Sequence, residues 1–192
     1  MNKSRLEAFS DGVIAILITI MVLDLKIPMG TDFAALRPVL PLFLTYVLSF
    51  IFVGIYWNNH HHMLHATTRI NGKILWANLH LLFWLSLVSF ATGWMGENHF
   101  EALPTALYGV VLLMCAVAYT ILQKCIIADE GENSKLALAV GSDSKGKISA
   151  ALYVTAIGLA FFEHWISCAI YVVVALIWLI PDQRIEAKIA QA

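Results

Sequence analysis

Gly12-Val-Ile-Ala-Ile-Leu-Ile-Thr-Ile-Met-Val-Leu23 decides the fold class, because Thr19 is its one polar side chain and no charge interrupts it. With its flanks, Ala8 to Leu25, it approaches the roughly 20 helical residues that cross a bilayer core of about 30 Å at 1.5 Å per residue. Five more apolar stretches follow along the chain. Hydrophobic residues make up 60% of the 192 and charged ones 13%, and the mean hydropathy is +0.77. Soluble domains sit near 45–50% and 25%. The chain therefore reads as all-α and polytopic, a single six-helix transmembrane domain over residues 1–192, with membrane lipid as its surroundings.

The expected spans are Ala8 to Leu25, Val39 to Trp57 with an extension towards Leu64, Ile74 to Gly96, Thr105 to Ala128, Ile148 to Phe162, and Ile166 to Ile180. The last two are short, and only Glu163-His164-Trp165 joins them. Asp129 to Lys147, carrying DEGEN and GSDSKGK, reads as a mobile loop outside the membrane. The first stretch has the length of a signal-peptide core, but Glu7 and Asp11 spoil a basic n-region and no small-residue cleavage site follows Leu23. It reads as a retained helix.

Charge placement sets the orientation. With six spans and the N-terminus inside, ten of the 12 Lys and Arg fall on the cytoplasmic side, leaving Lys26 and Arg37 outside. Both termini are expected in the cytoplasm. A net charge of −1 offers no basic face for nucleic acid. Cys115, Cys125 and Cys168 lack metal or redox spacing and read as reduced packing residues.

A carboxylate near the bilayer needs partners, and Asp11 lies inside the first helix. On the same side the second helix ends in Trp57-Asn58-Asn59-His60-His61-His62 and the third begins near Asn78 and His80. These groups, with Arg5, Phe9 and Ser10, are expected to form one polar network fixing the first helix against the next two. Three other readings compete: a solvated histidine turn, a metal site at the i,i+4 pair His61 and His65, and a bis-histidine haem using His80 with one of His60 to His62. No GxSxG, HExxH or phosphate-cradling glycine loop occurs, so the chain does not read as an enzyme and no cofactor is expected.

At 100° per residue, Gly12, Ile16, Thr19 and Leu23 share a stripe about 80° wide, with Ile20 at its edge. Periodicity alone leaves two explanations. The helix lies inside its own bundle with Thr19 bonded to a carbonyl one turn back, or the stripe faces a pore.

Arg5-Leu-Glu-Ala-Phe9-Ser10-Asp11 resembles the RxxxFSD motif of the transmembrane-protein-175 family, the lysosomal potassium channels and their prokaryotic relatives. Further similarities follow in order at Tyr56-Trp57, Asn59-His60-His61-His62, Ile70-Asn71-Gly72-Lys73, Leu75-Trp76-Ala77-Asn78, Gly96-Glu97 and Tyr108-Gly109. The resemblance spans residues 5 to about 110. Ser89-Phe90-Ala91-Thr92 departs from an expected Pro-Phe-x-Thr. The resemblance implies a potassium-permeable cation channel without a TVGYG filter, assembled as a homotetramer in a prokaryotic plasma membrane. It places the first helix along the pore, an apolar constriction at Ile16, and further pore positions at Thr19, Ile20 and Leu23. The competing function is a proton-coupled secondary transporter using Asp11 and the histidines.

Overall fold

The computed structural model describes residues 2–141 and 143–179, and these are all-helical. α1 spans Lys3–Ile20, α2 Leu40–His65, α3 Gly72–Glu97, α4 Ala102–Glu130, α5 Lys135–Val140, α6 Ser144–Leu159 and α7 His164–Leu179. Four of these, α1 with its continuation to Asp24, α2, α3 and α4, are long and apolar enough to cross a membrane. α6 and α7 have 16 residues each, short of that length, with α7 apolar; they bring the longer helices to the expected six, while α5, with six residues, is too short to cross. The final Ile180 of the last expected span lies outside the described residues.

The long helices extend past the expected ends because their terminal turns are polar. α1 starts at Lys3, where Asn2 caps it by accepting from the Ser4 N–H at 3.4 Å, and Lys3 and Glu7 stand one turn apart. α2 runs on through its histidines to His65. α4 ends on Asp129 and Glu130, an unfavourable sign at a helix C-terminus. Both carboxylates are taken up by the α2–α3 connection: Asn71 Nδ2 donates to Asp129 at 2.7 Å, and Thr68 donates to Glu130 through its N–H and its hydroxyl.

These bonds correct the expected mobile loop. Asp129 and Glu130 belong to α4, and α5 forms within the stretch, capped by Ser134 and holding Leu136 and Ala139 in the interior. Leu136 joins the main core with Leu64, Leu81, Leu112 and Ile126.

α2, α3 and α4 pack in sequence, α6 lies along α4, and α7 closes back onto α2, α4 and α6. Two glycines permit the closest approaches. A Cβ on Gly96 of α3 would lie 2.6 Å from Thr45 Oγ1 and 2.7 Å from Leu42 Cα of α2. One on Gly109 of α4 would strike the Tyr171 hydroxyl of α7 and lie 2.9 Å from Ile157 Cγ1 of α6. Buried hydroxyls tie the same helices: Thr92 Oγ1 meets Ser49 Oγ at 2.6 Å, Ser49 meets Tyr108 Oη at 2.9 Å, and Tyr171 donates to the Thr105 carbonyl. α1 stands apart, packed chiefly on α2 and α3 among the longer helices.

Candidate functional site

α1 divides cleanly by exposure. Leu6, Ser10, Ile14 and Met21 are buried, and Asp11, Val13, Leu17 and Ile18 are half-buried against α2 and α3. Arg5, Ala8, Phe9, Gly12, Ala15, Ile16, Thr19, Ile20 and Leu23 are exposed, and at 100° per residue they occupy one continuous arc. The stripe Gly12, Ile16, Thr19 and Leu23 runs down the middle of it, with Ile16 56% and Leu23 78% exposed. The helix is therefore not enclosed by its own bundle. Thr19 does bond back, its hydroxyl lying 3.0 Å from both the Ala15 and Ile16 carbonyls, but it does so on the open face.

Hydrogen bonds on the opposite side set the rotation of α1. Ser10 Oγ accepts from Asn78 Nδ2 at 2.9 Å, and Asn78 Oδ1 lies 2.7 Å from His60 Nε2. All three side chains are buried. An amide oxygen can only accept, so the His60 proton sits on Nε2. Next to this chain, Trp57 Nε1 donates to Asp11 Oδ1 at 3.0 Å. Ser10 and Asp11 straddle a direction roughly 160° from the stripe, so α1 is bolted to α2 and α3 by one side while the other is presented outward.

The remaining network residues are placed elsewhere. Arg5 and Phe9 lie on the exposed arc in line with the stripe, 120° or more from Asp11 by helical geometry. Asn59 turns into α2 and α4, its Nδ2 donating to the Ile55 carbonyl and its own carbonyl accepting from Tyr119. His61 is exposed and stacks between Trp57 and His65 at 6.2 Å centroid spacings. His80, two residues from Asn78 and so on the far side of α3, accepts from Trp84 Nε1 at 2.9 Å. Thus His60 and His80 face different neighbours, and among the described residues no hydrogen bond joins Asp11 to a histidine. No cluster of three or more His, Cys, Asp or Glu fit for a metal occurs among those residues either. The hydroxyl cluster of Ser49, Thr92 and Tyr108 had no counterpart in the sequence reading; its one signal was a serine and a threonine deep inside apolar runs.

The family model described as endosomal/lysosomal potassium channel TMEM175 matches residues 5–88, the segment containing most of α1, the Ser10–Asn78–His60 chain and most of α3. A potassium channel of Chryseobacterium sp. (strain P1-3) is 58% identical over 191 residues, covering 100% of both chains. The chain belongs to the TMEM175 family. Its fold matches the crystal structure of a lysosomal potassium-selective channel TMEM175 homolog from Chamaesiphon minutus with a TM-score of 0.79 and 26% identity, covering 94% of this chain and 97% of that one. The human family member, an endosomal/lysosomal proton channel TMEM175, is 38% identical over 96 residues, which are 43% of this chain and 19% of the human one. Similarity to TMEM175 thus reaches the C-terminal helices in the bacterial relatives, beyond the segment that the motifs mark.

Proposed function

We propose that this chain is a potassium-permeable cation channel, formed when four copies bring their α1 stripes to a common axis. Each chain acts as one six-helix channel domain of a prokaryotic plasma membrane, with both termini cytoplasmic. The observation that carries the reading is the position of the stripe at the centre of the open arc of α1, held there by buried bonds behind it. Relatives named potassium channels supply the ion.

Four helices around an axis, with neighbours about 8–10 Å apart, have diagonals of roughly 11–14 Å. Helices with side chains are about 10–12 Å thick, so only a few ångströms remain at the centre. A ring of four Ile16 side chains there excludes a hydrated cation and resists wetting, which is how an apolar constriction gates. Thr19 lies one turn further along. Its proton is directed to the Ala15 and Ile16 carbonyls, so the oxygen lone pairs remain for a cation that sheds water. Such a ring can favour potassium without the TVGYG carbonyl ladder, a string absent from this sequence.

Planar-bilayer recording of the purified protein under a potassium gradient tests the proposal. Unitary current steps reversing towards the potassium potential support it. Saturable flux that moves with a proton gradient and shows no steps supports the transporter instead. Because mammalian relatives are named proton channels, the same recording under a pH gradient measures whether protons share the path.

A further inference from the structure

A cavity of about 820 Å³ opens at the end of the bundle that carries the N-terminus, between α2, α4, α6 and the α5–α6 connection. No α1 residue lines it, so it is separate from the proposed pore. Its size falls within the 300–1,000 Å³ of small-molecule sites. Apolar side chains such as Phe52, Ala116 and Ile127 form its walls and floor. From Lys124 to Ala116 along α4 it is about 12 Å deep.

Inside it are polar groups that the fold does not satisfy. The Gln123 amide and the Tyr153 hydroxyl belong to side chains only 9% and 2% exposed, and neither makes a hydrogen bond among the described residues. The Tyr56 hydroxyl, on a half-buried side chain, also makes none among them. Every side-chain polar atom sealed from solvent among those residues has a partner, so these three groups reach the cavity rather than dead protein. Open to the cavity, they are free to bond water or a ligand that displaces it, and a ligand that covered them without bonding them would lose about 1–3 kcal/mol for each. The rim carries Lys124 and Lys147, both exposed, along with Lys145, against a single carboxylate, Asp143, which is occupied in capping α6.

The order from rim to floor is cationic, then neutral hydrogen-bonding, then apolar apart from the Tyr153 hydroxyl, whose ring lies 6.4 Å from that of Phe52. We propose that this cavity binds a single-tailed anionic amphiphile, a phosphate or carboxylate head at Lys124 and Lys147, hydroxyl or ester groups at Gln123 and Tyr56, and the tail over Phe52 and Ala116. A volume of about 820 Å³ suits one tail with its head group.

Thermal unfolding of the assembled protein in neutral maltoside detergent, titrated with dodecyl phosphate, tests this. The expected result is a saturable rise in the unfolding midpoint. Inorganic phosphate alone and dodecyltrimethylammonium should give no such rise, which separates the amphiphile from a free anion and from a bare tail. Gln123→Leu and the surface double variant K124Q/K147Q should each weaken binding about tenfold, and Ala116→Phe, which fills the floor, should abolish it. A midpoint that does not saturate, an equal response to the cationic amphiphile, or unchanged affinity in K124Q/K147Q overturns the proposal. None of these outcomes depends on whether the protein conducts.

Discussion

Replacing Asn78 with leucine tests the bolt that orients α1. The substitution removes the donor to Ser10 at 2.9 Å and the acceptor for His60 at 2.7 Å, leaving two buried groups without partners. Each orphan costs about 1–3 kcal/mol in a protein interior, and interhelical bonds in membranes measure towards the lower end. The expected loss is about 2–4 kcal/mol, a large share of a typical total of roughly 5–15 kcal/mol. For a chain of this length that lowers the unfolding midpoint by roughly 5–15 °C. The assay is thermal unfolding followed by size-exclusion chromatography, which reads monomer stability and oligomer yield together. The triple variant Ser10→Ala, His60→Phe, Asn78→Leu removes every polar partner at once and should recover most of the loss, because an apolar set of similar shape leaves nothing unpaired. A harmless Asn78→Leu, or a triple variant as damaged as the sum of its parts, would refute the reasoning.

Gly109→Ala should destabilise the fold by about 1–3 kcal/mol through overpacking, since its Cβ meets Tyr171 and Ile157; the unfolding midpoint reads this, and an unchanged value would mean that α4 and α7 can separate freely. In a variant lacking the three native cysteines, Glu132→Cys should resist a membrane-impermeant maleimide added to intact cells while Asn98→Cys reacts, both sites being exposed; the reverse pattern inverts the topology. Thr19→Val should lower the K⁺/Na⁺ permeability ratio several-fold in bilayers without abolishing current, because it removes the oxygen beyond the constriction while keeping the shape.

The membrane spans were legible because length and apolarity alone define them. Their ends were not, since polar turns such as Lys3 to Glu7 and His60 to His65 look the same in a helix and in a loop. α5 escaped notice because Leu136 and Ala139 are two apolar contacts in a stretch otherwise dominated by charges and glycine. The stripe on α1 was visible by periodicity, yet periodicity cannot say which side of a helix lacks a neighbour. Similarly, three consecutive histidines differ by 100° steps, and which one turns inward is set by Asn78 on another helix. Arg5 illustrates the same point: its motif places it six residues before Asp11, which puts it on the open arc rather than beside the carboxylate.

The central claim, that α1 lines the ion path with Ile16 at its constriction, is tested most directly by recording the purified Ile16→Asn protein in planar bilayers beside Ile18→Asn. Ile16 is exposed at the middle of the arc, whereas Ile18 packs towards the core. The account predicts that Ile16→Asn raises basal current by easing wetting and reduces K⁺/Na⁺ discrimination, while Ile18→Asn lowers protein yield without opening the pore. An Ile16→Asn protein that conducts indistinguishably from the unaltered one would contradict it.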